Sequence, residues 1–235
     1  MMKGVERLPA PQRKPPARLS RGTLTREVIV EAALRVLDGG QVNGLTFARL
    51  GKELGASPTA VYRHFSSRGD ILTAVADELI RIAIDGYQPS DSWQDSLRDL
   101  AYRAWRAFEQ HSAAAMHTFY RVTLGPNEIR VVDAILEAIH QAGWRGQEAV
   151  FKYQMYSNLV LALSGRNAAM LAAADEAGVT PGSFWTQEYM PTNPAEFPYL
   201  WEHRDDLRLK DNFAVYQGQV EALLAAMRAS LPAVS

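Results

Sequence analysis

The segment from Leu45 to Leu72, LTFARLGKELGASPTAVYRHFSSRGDIL, leaves little freedom of local structure, because helix starts and stops follow one another at close spacing. Thr46 is a good N-cap whose hydroxyl can accept from an otherwise orphan backbone N–H, and Phe47, Leu50 and Leu54 then repeat on one helical face. This predicts a first helix of about two turns. Gly55 follows the last apolar residue, where a left-handed stop carries no Cβ penalty, and Ser57-Pro58 supplies a second N-cap with proline at the first helical position. Only about three or four residues then separate the two helices. Between Pro58 and Phe65, Val61 and Phe65 are spaced to face inward, which turns Thr59, Ala60, Tyr62, Arg63 and His64 toward solvent. Ser67 and Asp70 form a capping box for a further helix with Ile71, Leu72, Val75, Ala76 and Leu79 on its buried side. A short helix that exposes small, aromatic and basic side chains after a tight turn suits a DNA groove.

With the preceding TREVIVEAALRVLDGG, these pieces occur in one register from Leu24 to about Ala83. In that register the stretch resembles the DNA-binding domain of the TetR family of transcriptional regulators. The resemblance implies that Tyr62 and His64 grip phosphates, while Ser57, Pro58, Thr59 and Arg63, with Ala60 on the same face, approach base edges. Arg63 is the candidate for direct readout, since a guanidinium bonds guanine bidentately; its plainer role is a phosphate clamp. Arg49, Arg68 and Thr46 are expected at the DNA backbone. Phe47-Ala48 stands where the family often has a polar or basic residue, which weakens the case for contacts from that helix.

Charge follows the same division. The net charge of the 235 residues is only −1, yet through Arg81 thirteen Lys and Arg face eight Asp and Glu, and the remainder holds twelve against eighteen. A basic first part and an acidic second part are the electrostatic pattern of one small domain turned toward phosphates. Residues 1–22 carry six of those basic groups and four prolines without apolar periodicity, and read as a flexible basic arm in which Arg18 and Arg21 either reach DNA or are simply solvated. The absence of cysteine excludes disulfides, thiolate zinc sites and cysteine nucleophiles. No segment approaches the ~18 apolar residues of a membrane span, so a soluble, cytoplasmic protein without membrane contact is expected.

Beyond Arg81 helical periods continue from Ser92 to Phe108, from Asn127 to Ile139 and from about Gln147 to Ala174. The proline-rich stretch Gly178 to Pro198, with Phe184-Trp185, reads as a loop or lid. A short helix near Ala195 to Arg204 and a last one from about Lys210 to Ala229 complete an all-α reading: an arm over 1–22, a three-helix helix-turn-helix domain over 23–83, and a larger helical domain over 84–235. The resemblance makes the latter an effector-binding and dimerisation domain. In that reading Phe213, Val220, Leu223 and Leu224 of the last helix lie in a homodimer interface.

The aromatic content of this half is compatible with a mostly apolar small-molecule pocket or with ordinary core packing. The candidate lining is Trp105, Met116, Phe119, Trp144, Phe151 and Tyr156, with His117 and Asn158 as orienting groups, for a small hydrophobic or aromatic effector. His111 and His117 lack carboxylates at helical spacing for a metal set, Ser164-Gly165 lacks the strand-turn-helix setting of a nucleophile elbow, and no phosphate loop is present. The expectation is therefore a non-enzymatic regulator without cofactor or metal, binding a palindromic double-stranded DNA operator as a homodimer and released by its effector. The alternatives are a small-molecule-binding or assembly module without operator specificity, and a helical enzyme.

Overall fold

The computed structural model describes residues 24–39, 44–180, 193–208 and 211–231, and among them there is helix and turn but no strand. The basic arm over 1–22 and the expected lid residues Phe184 and Trp185 lie outside the described residues. Helix α1 runs Arg26–Asp38, capped by the Thr25 hydroxyl, which accepts from the Val28 N–H. Helices α2 (Phe47–Leu54) and α3 (Pro58–Tyr62) form the tight pair, and α4 (Arg68–Ile84) starts at the expected Ser67–Asp70 capping box. Helix α5 (Trp93–Gln110) is followed at once by the single-turn α6 (Ser112–Ala115), which the periodicity did not foresee. Then come α7 (Pro126–Gln141), the long α8 (Gly146–Ala177), the short α9 (Pro198–Glu202) and α10 (Asn212–Ala229), the last capped by Asp211.

The buried side chains form two clusters. Ile29, Leu37, Leu50, Val61, Phe65 and Val75 centre the first, which also takes in Ala107, Phe108, Ala114, Ala115 and Ala168 from α5, α6 and α8. Leu97, Trp105, Ile139, Trp144, Tyr156 and Tyr216 centre the second, which draws on α5, α7, α8 and α10. Burying each Leu, Ile or Phe side chain stabilises by about 1.5–3 kcal/mol, so each cluster is a substantial core. Helix α4 belongs to both: Ile71, Leu72, Val75 and Leu79 pack in the first cluster, and Ile84 packs in the second.

Two buried hydroxyls fasten the second core. Tyr156 donates to the Leu97 carbonyl at 2.6 Å and Tyr216 to the Ala101 carbonyl at 2.9 Å, so α8 and α10 are each pinned to the backbone of α5. Burial also drives both phenols upward in pKa, which keeps them protonated donors. No helix among the described residues is long and apolar enough to cross a membrane.

Candidate nucleic-acid interface and internal cavity

The α2–α3 pair is built almost wholly from local caps. The Thr46 hydroxyl accepts from the Arg49 N–H at 3.1 Å, Gly55 takes the left-handed conformation at φ 61°, and the Ser57 hydroxyl accepts from the Ala60 N–H at 3.2 Å. Closing the turn, the Ala56 N–H donates to the Gly51 carbonyl at 2.8 Å. This brings the chain so near α2 that a Cβ on Gly51 would lie 2.7 Å from the Ala56 oxygen. Gly51 is thus a residue that sequence reasoning missed: within a helical pattern it reads as a mild defect, whereas here the crossing backbone requires it.

Of the expected DNA-facing residues, Thr46, Ser57, Pro58, Thr59, Tyr62, Arg63 and Arg68 are exposed, and Arg49, Ala60 and His64 are half-buried. They belong to α2, to α3 and to the turn into the start of α4. Two contacts fix the shape of this segment. Tyr62, more than half exposed, stacks on Phe47 with ring centroids 3.7 Å apart and planes 5° from parallel. The Phe47 position that departs from the family's usual polar residue therefore holds an exposed phenol in place. Arg26, at the start of α1, donates to the His64 carbonyl and lays its guanidinium 4.1 Å from the centre of the Phe65 ring. Arg26 was not among the expected residues, because its partners are 38 or more positions away in sequence.

The cavity lies under this head, between α4, α5, α7 and α8, and measures about 840 Å³ including the part that opens to solvent. Its wall is mostly apolar, with Leu79 and Ala83 from α4, Phe108 from α5, Ile135 from α7 and Val160 from α8. Of the residues expected to line a pocket, Phe119 and Tyr156 do so. The Phe119 ring reaches α8 because residue 165 is glycine; a Cβ there would lie 2.4 Å from the ring.

The other expected lining residues are elsewhere. Trp105 is spent in the second core, stacked on Tyr216 at 4.5 Å, and Trp144 is fully buried edge-on to Trp93 at 5.4 Å. Met116 borders a separate depression with Asp38 and Asp175. His117 is half-buried off the cavity wall, with no partner for its Nε2; its pKa is lowered, chiefly by burial and then by the charges of Arg68 and Arg121. Phe151 and Asn158 are exposed on the outside of α8. The reason is helical phase: at 100° per residue Tyr153, Tyr156, Ser157 and Val160 share the inward face, and Phe151 and Asn158, seven apart, share another.

Two of the four expected interface residues of the last helix are taken up by the chain's own core. Val220 and Leu224 are 1% and 2% exposed within this single chain, so they serve its own core, and Phe213 and Leu223 pack partly against it. The outward stripe of α10 is instead Val215, Gly218, Ala222, Ala225 and Ala229.

A polar junction joins cavity and head. Asp77, midway along α4, accepts from the Thr123 hydroxyl at 3.1 Å, the Glu128 N–H at 3.0 Å and the Asn127 side-chain amide at 2.7 Å. It thereby supplies the side-chain cap that α7 lacks at its own N-cap, Gly125. Glu128 in turn accepts from the N–H groups of Thr123 at 2.7 Å and Leu124 at 2.6 Å, holding Leu124 at φ 52°. Leu124 is the one non-glycine at positive φ among the described residues, and such a conformation costs energy for a branched side chain. Among these residues no group of three or more His, Asp or Glu is placed to hold a metal ion.

The molecule thus sets an exposed helix-turn-helix with a basic, aromatic face on a helical body that holds an apolar cavity. Residues 29–75 match the sequence model described as bacterial regulatory proteins of the tetR family, and residues 86–208 match the tetracyclin repressor-like C-terminal domain. The chain belongs to the tetR family. It is 25% identical over 171 residues to the HTH-type transcriptional repressor DrrR1 of Streptomyces coeruleorubidus, a match that covers 72% of this chain and 63% of that relative. The fold is similar to the Streptomyces coelicolor TetR family protein ActR solved with actinorhodin, at TM-score 0.74 and 20% identity, covering 91% of this chain and all of that one. It is also similar to BioQ solved with its natural double-stranded DNA operator, at TM-score 0.53 and 21% identity, covering 79% of this chain and 99% of the other.

Proposed function

We propose that this chain is a cytoplasmic transcriptional repressor that binds a palindromic double-stranded DNA operator as a homodimer and is released by a small, mostly apolar effector. Residues 23–83 serve as the head, with 1–22 as its basic arm, and 84–235 as the effector and dimerisation body. The observation that carries the reading is the double membership of α4, which packs in the head's core and also forms a wall of the cavity. A molecule that fills the cavity must push on, or be held by, the helix that positions the head. ActR with actinorhodin and BioQ with its operator support carrying a small ligand and duplex DNA over to this chain.

In this reading Arg63, Ser57, Pro58 and Thr59 meet base edges, Tyr62 and His64 meet phosphates, and Thr46, Arg49 and Arg68 meet the flanking backbone. The outward faces of α8 and α10 pair with their copies, so that two heads are spaced for half-sites about one helical turn apart. The effector prefers a different spacing of the heads. A difference of about 1 to 3 kcal/mol between the two states changes operator affinity by about 5-fold to 150-fold.

The test is selection of bound sequences by the full chain from a random duplex pool at about 0.15 M salt, with the mass of the complex measured on the enriched sequence. A palindromic motif carrying one or two dimers is the expected result. Failure to enrich any sequence over non-specific binding would overturn the repressor reading in favour of a module without operator specificity.

A further inference from the structure

The chemistry of the effector can be narrowed from the polar groups on the cavity wall; this rests on the cavity being the effector site. Of the six polar side chains there, Thr118, Arg121, Glu128, Tyr153, Tyr156 and Ser157, three are already committed. The Thr118 hydroxyl donates to the Ala114 carbonyl at 2.9 Å, and the Tyr156 hydroxyl donates to the Leu97 carbonyl. Glu128 is on the wall too, but one of its oxygens accepts from the N–H groups of both Thr123 and Leu124. Its charge also sits in the first turn of α7, where the helix dipole favours an anion.

Arg121 and Ser157 are different. The half-buried Arg121 gives its Nε–H to the His117 carbonyl at 3.3 Å and lies 5.5 Å from the Tyr120 ring, but forms no ion pair among the described residues. Its Nη donors are therefore free to meet a ligand. The Ser157 hydroxyl oxygen is buried on the wall and has no hydrogen-bond partner among the described residues. A buried hydroxyl left unpaired costs about 1–3 kcal/mol, which a ligand could recover.

We propose that the effector is an apolar, ring-bearing molecule with an acidic or strongly accepting oxygen group, which Arg121 binds by charge-assisted hydrogen bonds while the Ser157 hydroxyl takes a second polar atom. The negative charge on the wall is answered by the protein, and the positive charge is not, so the wall selects an anion over a cation. Charged hydrogen bonds are about twice as strong as neutral ones, and the low-polarity surroundings strengthen them further.

The experiment uses three compounds that share one ring system: 2-naphthoate, 2-naphthamide and 2-naphthylmethylammonium. Binding of each to the full-length protein is measured by calorimetry at neutral pH, beside the operator affinity of the same preparation. Naphthoate is expected to bind at least about tenfold more tightly than the ammonium compound, with the amide between. Arg121→Met should abolish that preference while the amide binds within about threefold of its original affinity, which also shows that the variant is folded; Arg121→Lys should keep part of the preference. Ser157→Ala should weaken naphthoate and amide together. Equal or tighter binding of the ammonium compound, or a preference that survives Arg121→Met, overturns the proposal. Saturable binding of none of the three overturns the cavity as the effector site and the proposal with it, and the parallel operator measurement shows whether DNA recognition stands regardless.

Discussion

Gly51 is the position where one atom decides whether α2 and the turn into α3 can meet. Alanine ordinarily favours a helix over glycine by about 1 kcal/mol. Here its Cβ would sit 2.7 Å from the Ala56 oxygen and 3.2 Å from the Pro58 nitrogen, and both obstacles are backbone. Gly51→Ala should therefore destabilise by about 1–3 kcal/mol and weaken operator binding; an unchanged or raised thermal midpoint would contradict the close crossing. His117 gives a residue-scale prediction of pH dependence. Burial first, and then Arg68 and Arg121, depress its pKa, so the unfolded chain takes up this proton at a higher pH than the folded one. The stability tied to neutral His117 is thus present above the unfolded value of about 6.5 and is lost as pH falls through the folded value. His117→Gln should flatten the decline of the thermal midpoint between about pH 7 and pH 5, and identical slopes would place the acid sensitivity in other groups.

At the scale of elements, α7 begins at Gly125 without a side-chain cap of its own and depends on Asp77 of α4. Asp77→Ala should cost about 0.5–2 kcal/mol, as loss of a cap does, and speed amide hydrogen exchange at Asn127 and Glu128; unchanged exchange there would mean the start of α7 is held by other groups. A cap supplied from 50 or so positions upstream could not be read from the chain. The caps that could be read are those whose donor and acceptor are neighbours: Thr46 with Arg49, Ser57 with Ala60, and Ser67 with Asp70. Hence the bounds and caps of α2 and α3 were legible almost to the residue. The cavity was not, because composition gives the number of aromatic side chains but not the rotational phase at which each helix docks. On α8 the inward face proved to be that of Tyr153 and Tyr156, which left Phe151 outside. On α10 the largest apolar residues went to the chain's own core, and small residues were left outward. Helix α6 escaped notice because one turn of SAAA shows no period.

For the whole molecule, the outward stripe of α10 sets the expectation about assembly. Ala222 is exposed in the middle of that stripe, among side chains small enough to let a second helix approach. Ala222→Arg should turn a dimer into a monomer by sedimentation while leaving the helical content of the chain unchanged, and should reduce operator affinity because one head alone reads half a palindrome. A variant that remains dimeric would move the interface to another face.

The head's core is completed by Ala107, Phe108, Ala114, Ala115 and Ala168, all of which come from beyond the helix-turn-helix. A chain cut after Ile84 would therefore lose part of its own interior and expose apolar side chains of α1 and α4, which pack on α5 and α6, to water. Heat or urea should accordingly dissolve both halves in a single cooperative step, with circular dichroism and tryptophan emission tracing one curve, since all five tryptophans report only from the second half. Two separated transitions would show that the seam is weaker than its packing indicates. On the proposed function, the cell then has no folded head without a folded sensor: a molecule damaged in its body forfeits its grip on DNA instead of persisting as a switch that cannot be turned off.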